Sequence, residues 1–453
     1  MLDFRESVSQ TETVPLPSLI TRPTPFQRPE NQVKLLQPGR IALKTARLGD
    51  MLPVTQTPRR PVIIHWGISS FFGWGIYGLN LALNWSNDPV LEPVTSFPLQ
   101  SDQIVVDPLR QRALGGFFRA SADLSTRIAA QSEKSLTVNT PLLAGLGNDF
   151  TMSPGPKGVA LSGSPTLGVV FFELPQLSEA TKARAKALPL VIAGSSWNEE
   201  IMRAHGLTNV TTVIQGIDQT LFHPGPRQGV LADRFLVFSG GKLELRKGQD
   251  LVVAAFARFA KRHPEALLVS AWHSPWPQFA LTLNRSGKAT AITTNDKGAI
   301  DQSAWIAAND IAAHQFLDLG SVPNALMAPI LREMDVAVFP NRSEGGTNLV
   351  AMECMACGVP TILSANTGHL DLIDGGNCYA LEHQTPVAGE GAGVGSVAGW
   401  GESSVDEIED TLERVWRDRN EARRRGERGA AKLAGYTWSR TADAMKKIIR
   451  TYS

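Results

Sequence analysis

The stretch NRSEGGTNLVAMECMACGVP, residues 341–360, limits the fold more than any other part of the chain. It follows an apolar run, Val336-Ala337-Val338-Phe339, that reads as a buried strand closed by Pro340. A glycine-rich loop then opens a helix, with Thr347 as its expected N-cap and Gly358 and Pro360 as its stop. Such a helix would hold about ten residues and run roughly 15 Å. Its start offers free backbone N–H groups and a positive dipole end, which suit a phosphate. On one face of it Glu353 sits among Leu349, Val350, Ala356 and Cys357, all apolar. A carboxylate there is costly unless it meets hydrogen-bond donors. A sugar diol would supply two; a nearby Arg or Lys is the alternative partner.

The rest of the chain alternates strand-like and helix-like segments, the pattern of parallel sheets covered by helices on both faces. The first core strand is expected at residues 61–66, with others at 93–97, 168–172, 190–193 and 211–214. Pro224-Gly225-Pro226 is the best linker, and a second α/β unit starts at residues 234–238. In that unit, helices are expected at about residues 248–261 and 329–334. Residues 387–401 read as a glycine-rich loop, 404–428 as a charged helical region and 442–449 as a last helix. Residues 1–60, rich in Pro, Thr, Gln and Arg, read as an extended arm.

Composition narrows the partners. A net charge of +1 and the lack of a basic stripe argue against nucleic acid. Cys354, Cys357 and Cys378 form no disulfide framework, and Cys354-x-x-Cys357 has no second pair. The eight histidines show no ligand spacing and Asp-x-Asp is absent, so no metal site is expected. The charged N-terminus is unlike a signal peptide, and no apolar run is long enough to span a bilayer. A cytoplasmic protein is expected, with peripheral contact at the inner membrane face left open.

Two more segments carry chemistry. After the strand ending at Phe238 comes SGGKLELRKGQD, residues 239–250. Gly240 and Gly241 let the backbone approach an anion. Lys242 and Lys247 then stand at the C-terminal end of a parallel strand, where ligands bind in open α/β sheets. There they could meet the charge of a departing nucleoside diphosphate; a solvated turn is the plainer reading. The second segment, around residues 73–78, holds Gly73, Trp74, Gly75 and Gly78 in a Gly-x-Gly-x-x-Gly pattern. A nicotinamide site would need an acid about 20 residues on, at the end of the second strand. The best candidate, Glu92, is expected to precede that strand.

The Glu344-to-Pro360 pattern and the Gly-Lys-Leu-x-x-x-Lys-Gly segment resemble those of retaining GT-B glycosyltransferases, above all glycosyltransferase family 4. The likeness is strong over residues 168–453 and weak over 61–150. It implies two Rossmann-like, doubly wound domains facing across a cleft. The expected limits are 61–224 for an acceptor domain, joined by a C-terminal helix at about 437–453, and 225–436 for a donor domain. It implies an enzyme that moves a sugar from a nucleotide diphosphate sugar to an acceptor hydroxyl, with retention and without a metal or other cofactor. The acceptor stays open among glycan, lipid-linked glycan, protein and small molecule. By resemblance Lys242, Lys247 and Glu344 serve catalysis. Gly240, Gly241, Gly345, Gly346, Thr347, Asn348, Leu349 and Glu353 bind the donor, with Glu353 on the ribose. Gly73, Trp74, Gly75 and Glu173 face the acceptor side. One departure stands out: family glutamates are usually eight positions apart, whereas Glu344 and Glu353 are nine apart. Two alternatives remain, an NAD(P)-dependent oxidoreductase using the Gly73 loop and a non-catalytic sugar-nucleotide-binding protein on the same scaffold.

Overall fold

The computed structural model describes residues 59–273, 276–387, 390–391 and 395–453. Most of the N-terminal arm, residues 1–58, lies outside them. Six strands build the first large sheet: β1 (Arg60–His65), β2 (Leu91–Thr95), β3 (Leu142–Leu146), β4 (Thr166–Val170), β5 (Val191–Ala193) and β6 (Val210–Thr212). They form one parallel sheet in the order β2-β1-β3-β4-β5-β6. A second parallel sheet holds β7 (Phe235–Gly240), β8 (Ala266–Ala271), β9 (Phe316–Asp318), β10 (Val336–Phe339), β11 (Thr361–Ser364) and β12 (Tyr379–Leu381). Its order is β9-β8-β7-β10-β11-β12, the doubly wound arrangement. Strands such as β7 and β10 are buried along their whole length, as central strands covered on both faces must be. Two Rossmann-like domains are therefore present: the alternation of elements implied the parallel sheets, and the family resemblance implied the two domains.

Six helices position the cleft: α1 (Gly73–Trp85), α2 (Ser196–Ala204), α3 (Gln249–Arg262), α4 (Asn324–Arg332), α5 (Leu349–Ala356) and α6 (Trp438–Tyr452). The last returns to the first domain. Trp438 stacks on Tyr77 at 5.6 Å, Trp85 donates to the Ala442 carbonyl, and Lys446 pairs with Asp88. Among the described residues no helix is long and apolar enough to cross a membrane.

Several sequence expectations shift. Helix α4 starts at Asn324 and carries Pro329 inside it, so Pro329 is not its start. The charged tail forms two helices, Val405–Arg417 and Arg419–Leu433. The glycine-rich stretch is bracketed by a strand pair, in which Gln384–Pro386 runs antiparallel to Gly401–Ser403. It is pinned because Val397 and Trp400 bury against Leu245 and Leu174, and Trp400 Nε1 donates to the Glu173 carbonyl at 2.8 Å.

One buried cation ties loops of the second domain together. Arg342, fully excluded from solvent, makes two bonds to Asp250 at 2.8 and 2.6 Å and one to Glu402 at 2.9 Å. Its guanidinium also donates to the Leu245 carbonyl at 2.6 Å. Truncation leaves Asp250 buried without its partner, so Arg342→Ala should cost about 3–5 kcal/mol. Urea unfolding measures this, and a loss under about 1 kcal/mol would show that the pair is dispensable.

Candidate active site

A cavity of about 360 Å³ opens between the two sheets. Its wall in the second domain is built from strand ends. Strand β7 stops at Gly240, and Gly241 turns the chain at φ +114°, a conformation that favours glycine. A Cβ on Gly240 would also lie 2.8 Å from Val350, so the glycine lets β7 meet α5. The next turn brings Lys242, Arg246 and Lys247 to the cavity. Lys242 is the most open of the three; its ammonium lies 5.5 Å from the Trp276 ring centre and 3.8 Å from Glu244. Lys247 is largely but not fully buried and bonds to Glu344 Oε1. Burial pulls its pKa down, and Glu344 opposes that pull.

Glu344 is the best-satisfied carboxylate in the cleft. Its Oε1 accepts from Asn341 and Lys247 and lies 3.1 Å from Arg246 Nη1. Burial alone would raise its pKa, but Lys247 and Arg246 more than reverse this, to about 2. Glu344 is thus ionised at any working pH.

Thr347 does not cap α5. Its hydroxyl points into the core at Met352 Sδ, 2.9 Å away, and the helix begins one residue later, after Asn348. Asn348 takes φ +57°, the left-handed region that Asn tolerates better than most side chains. Its amide meets His369 Nε2 at 3.1 Å, and His369 Nδ1 meets Ser364 Oγ at 3.0 Å. Burial lowers the His369 pKa to about 4, which keeps the ring neutral and able to accept from Asn348. The helix is eight residues long, shorter than expected, and Gly358 at φ +79° follows its C-cap.

Among the described residues Glu353 has no Arg or Lys partner. Its side chain receives one hydrogen bond there, from Asn324 Nδ2 at 2.5 Å. Burial pushes its pKa up to about 8, which that bond only partly offsets.

Of the other sequence-selected residues, Leu349, Gly346, Gly73, Trp74 and Glu173 line the cavity. Gly240, Gly345, Thr347 and Gly75 do not. Gly345 and Gly75 serve close approach instead: a Cβ on Gly345 would lie 2.4 Å from the Phe171 carbonyl, and one on Gly75 would lie 2.5 Å from Ser69. Glu173 reaches across the cleft to Arg246 at 3.4 Å. The sequence reading passed over Arg246 and Asn324. Arg246 precedes Lys247 in a single 3-10 turn, Leu245–Lys247, that turns both inward. Asn324 was hidden by the misplaced start of α4. Phe72, His273 and Trp276 were missed too; they close one end of the cavity, with Phe72 6.4 Å from His273 and 6.1 Å from Trp276 between ring centres.

Glu92 lies inside β2, paired in register with Pro61 and 3.4 Å from Arg59, not at a strand end facing the glycine loop. The dinucleotide reading loses its ribose-binding acid.

The profile of the family described as "Family 4 Glycosyltransferase in conflict systems" matches residues 191–445, more than half of the chain. The chain belongs to this family. Its curated relatives include the D-inositol 3-phosphate glycosyltransferase of Kineococcus radiotolerans, 27% identical over 256 residues, covering 53% of this chain and 51% of that one. The GDP-mannose-dependent alpha-(1-6)-phosphatidylinositol dimannoside mannosyltransferase of Mycobacterium tuberculosis is 26% identical over 196 residues, 42% of this chain and 44% of that one. The chain spans about half the length of the curated relatives it matches. In fold, this family 4 chain is similar to sucrose-phosphate synthase from Thermosynechococcus elongatus, with a TM-score of 0.57 at 18% identity over 87% of this chain and 99% of that one. It is also similar to HepE of Anabaena, solved with UDP and glucose, with a TM-score of 0.56 at 11% identity over 87% of this chain and 100% of that one. Its two-domain fold is GT-B.

The raised Glu353 pKa has a consequence for stability. A folded-state pKa above the ordinary 4.5 means that the native state holds this proton more tightly than the unfolded chain. The resulting stability is fully present below about pH 4.5 and is lost as pH rises through about 8. Glu353→Gln should therefore melt higher than wild type at pH 9, by up to a few kcal/mol, since each tenfold change in proton affinity is worth about 1.4 kcal/mol. At pH 4 the two should be nearly equal. Equal melting at both pH values would show that the carboxyl is not strained by burial.

Proposed function

We propose that this protein transfers a sugar from a nucleoside diphosphate sugar to an acceptor hydroxyl, with retention at the anomeric carbon. One observation carries the reading: Lys242, Arg246, Lys247 and the start of α5 share one cavity with a buried carboxylate, Glu353, that meets a single donor among the described residues. Phosphates suit the cations and the helix start. A ribose diol suits Glu353, whose burial is costly until more donors arrive. In this reading Glu344 orients the transferred sugar through the side of its carboxylate not taken by Lys247 and Arg246. Family membership and the UDP held by HepE support a nucleotide-sugar donor.

The departing phosphate carries its charge onto Lys242 and Lys247. In the retaining route the leaving phosphate oxygen takes the acceptor proton on the same face of the sugar, so no separate side-chain base is needed. The acceptor enters from the side of Gly73, Trp74 and Glu173. Three buried, free cysteines suit a reducing cytoplasm, where we place the reaction.

The direct test is a melting panel with UDP, GDP, ADP, dTDP and NAD(H). A ligand at 100 times its dissociation constant adds about 2.7 kcal/mol of stability. Stabilisation by a nucleoside diphosphate is expected; stabilisation by NAD(H) alone would overturn the proposal. Once a donor is identified, Lys242→Ala should lower turnover by about 10²–10³ with little change in melting, because Lys242 is partly exposed and loosely paired. Near-wild-type turnover would remove Lys242 from the mechanism. The anomeric configuration of the product, read by NMR, tests retention.

A further inference from the structure

Helix α4 begins at Asn324, where the cavity meets both domains. The residue is held at two points. Its backbone N–H donates to the Ser70 carbonyl of the first domain at 2.7 Å, and its side-chain amide donates to Glu353 Oε1 at 2.5 Å. Ser70, Asn324 and Glu353 all line the cavity. Burial favours the protonated form of Glu353 in the empty cavity; ionised once further donors arrive, its carboxylate offers about four acceptor sites. Among the described residues Asn324 alone donates to the Glu353 side chain, so Oε1 is anchored and Oε2 has no protein donor there. Met327, Leu349 and Val350, which line the same cavity, are apolar and offer it no side-chain donor.

We propose that Asn324 is a positioning residue that fixes the Glu353 carboxyl for the 2′,3′-diol of a ribonucleotide, and so sets selectivity for ribose over 2′-deoxyribose. The inference rests on the nucleotide-sugar reading of the cavity. With Oε1 held, the plane of the carboxyl is set and its remaining acceptor sites face the ligand in a fixed direction. Two ribose hydroxyls can then be satisfied together. A 2′-deoxyribose supplies one and leaves an acceptor unpaired in a dry site, a loss equivalent to about tenfold or more in affinity. Without Asn324 the carboxyl turns freely, and the gain from the second hydroxyl shrinks.

The experiment is calorimetric titration of the full chain and its Asn324→Ala variant with UDP, GDP and their 2′-deoxy counterparts, with melting curves as a check on folding. In wild type the ribonucleotide should bind at least about tenfold more tightly than its deoxy form. In Asn324→Ala the ratio should fall below about threefold, while the deoxy affinity stays within about threefold of wild type. If Asn324→Ala fails to fold, Asn324→Ser, whose hydroxyl stops short of Glu353, serves the same comparison. A structural role alone would weaken both forms together and leave the ratio intact, which would overturn the inference. Wild type that binds without discrimination would also overturn it while the nucleotide-sugar reading stands. Wild type that binds none of the four nucleotides would overturn that reading and the inference with it.

Discussion

The buried Arg342–Asp250 pair is the joint on which the donor side depends. Arg342 opens the loop that carries Glu344, and Asp250 lies in the first turn of α3. Backbone bonds extend the joint: the Arg342 N–H donates to the Arg246 carbonyl at 2.7 Å, and the Arg342 carbonyl accepts from Gly401 at 3.0 Å. One residue therefore fixes the turn bearing the cations, the loop bearing Glu344 and the excursion bearing Trp400 relative to each other. A guanidinium suits this task because its rigid fork presents five donors in one plane and stays charged when buried. A lysine could not hold three segments in fixed directions at once.

On that frame the cleft balances its charges closely. Three cations, Lys242, Arg246 and Lys247, face three carboxylates, Glu173, Glu244 and Glu344. An arriving diphosphate would have to draw cations away from these partners. The tightest pairs, Lys247 with Glu344 and Arg246 with Glu244, resist this. Lys242, at 3.8 Å from Glu244 and partly exposed, is the readiest to turn. Arg246 holds Glu173 of the first domain at 3.4 Å, its longest contact to a carboxylate. The two contacts that yield most easily are thus the open lysine and the bond that crosses the cleft.

The sequence carried the parallel sheets because buried parallel strands and amphipathic helices leave period and composition signals, while the doubly wound pair of domains came from the family resemblance. It also carried the placing of Glu353, since a carboxylate among Leu349, Val350, Ala356 and Cys357 is visible from helical spacing alone. It did not carry the start of α5. Thr347 has the better capping side chain, yet packing turns its hydroxyl toward Met352, and the left-handed Asn348 takes its place. That choice depends on His369, distant in sequence, and no local rule reports it. Arg246 was hard to read for a related reason. Next to a lysine it looks like a solvated charge; only the carboxylates brought by Glu173, Glu244 and Glu344 explain its burial. Glycine content signals the loop but not its anchorage, since Val397 and Trp400 find an apolar seat that involves the other domain.

Contacts between the domains reach the donor loop itself. Ser195 donates to the Gly345 carbonyl at 2.7 Å, and Asp371 accepts from the Ser196 N–H at 2.9 Å and from its hydroxyl at 2.5 Å. Asp371 ends a short 3-10 turn, Thr367–Asp371, whose other end holds Glu344: Thr367 Oγ1 accepts from the Glu344 N–H, and the Gly368 N–H donates to the Glu344 carbonyl. The start of α2 and the backbone of Glu344 are thus two ends of one rigid bridge. Separating the domains would release Ser196 from Asp371, Ser195 from Gly345 and Glu173 from Arg246 together. Glu344 would then lose the outside support of its loop and part of its electrostatic setting in the same motion. The geometry around Glu344 is therefore a property of both domains in contact, although every atom of its carboxylate belongs to the second.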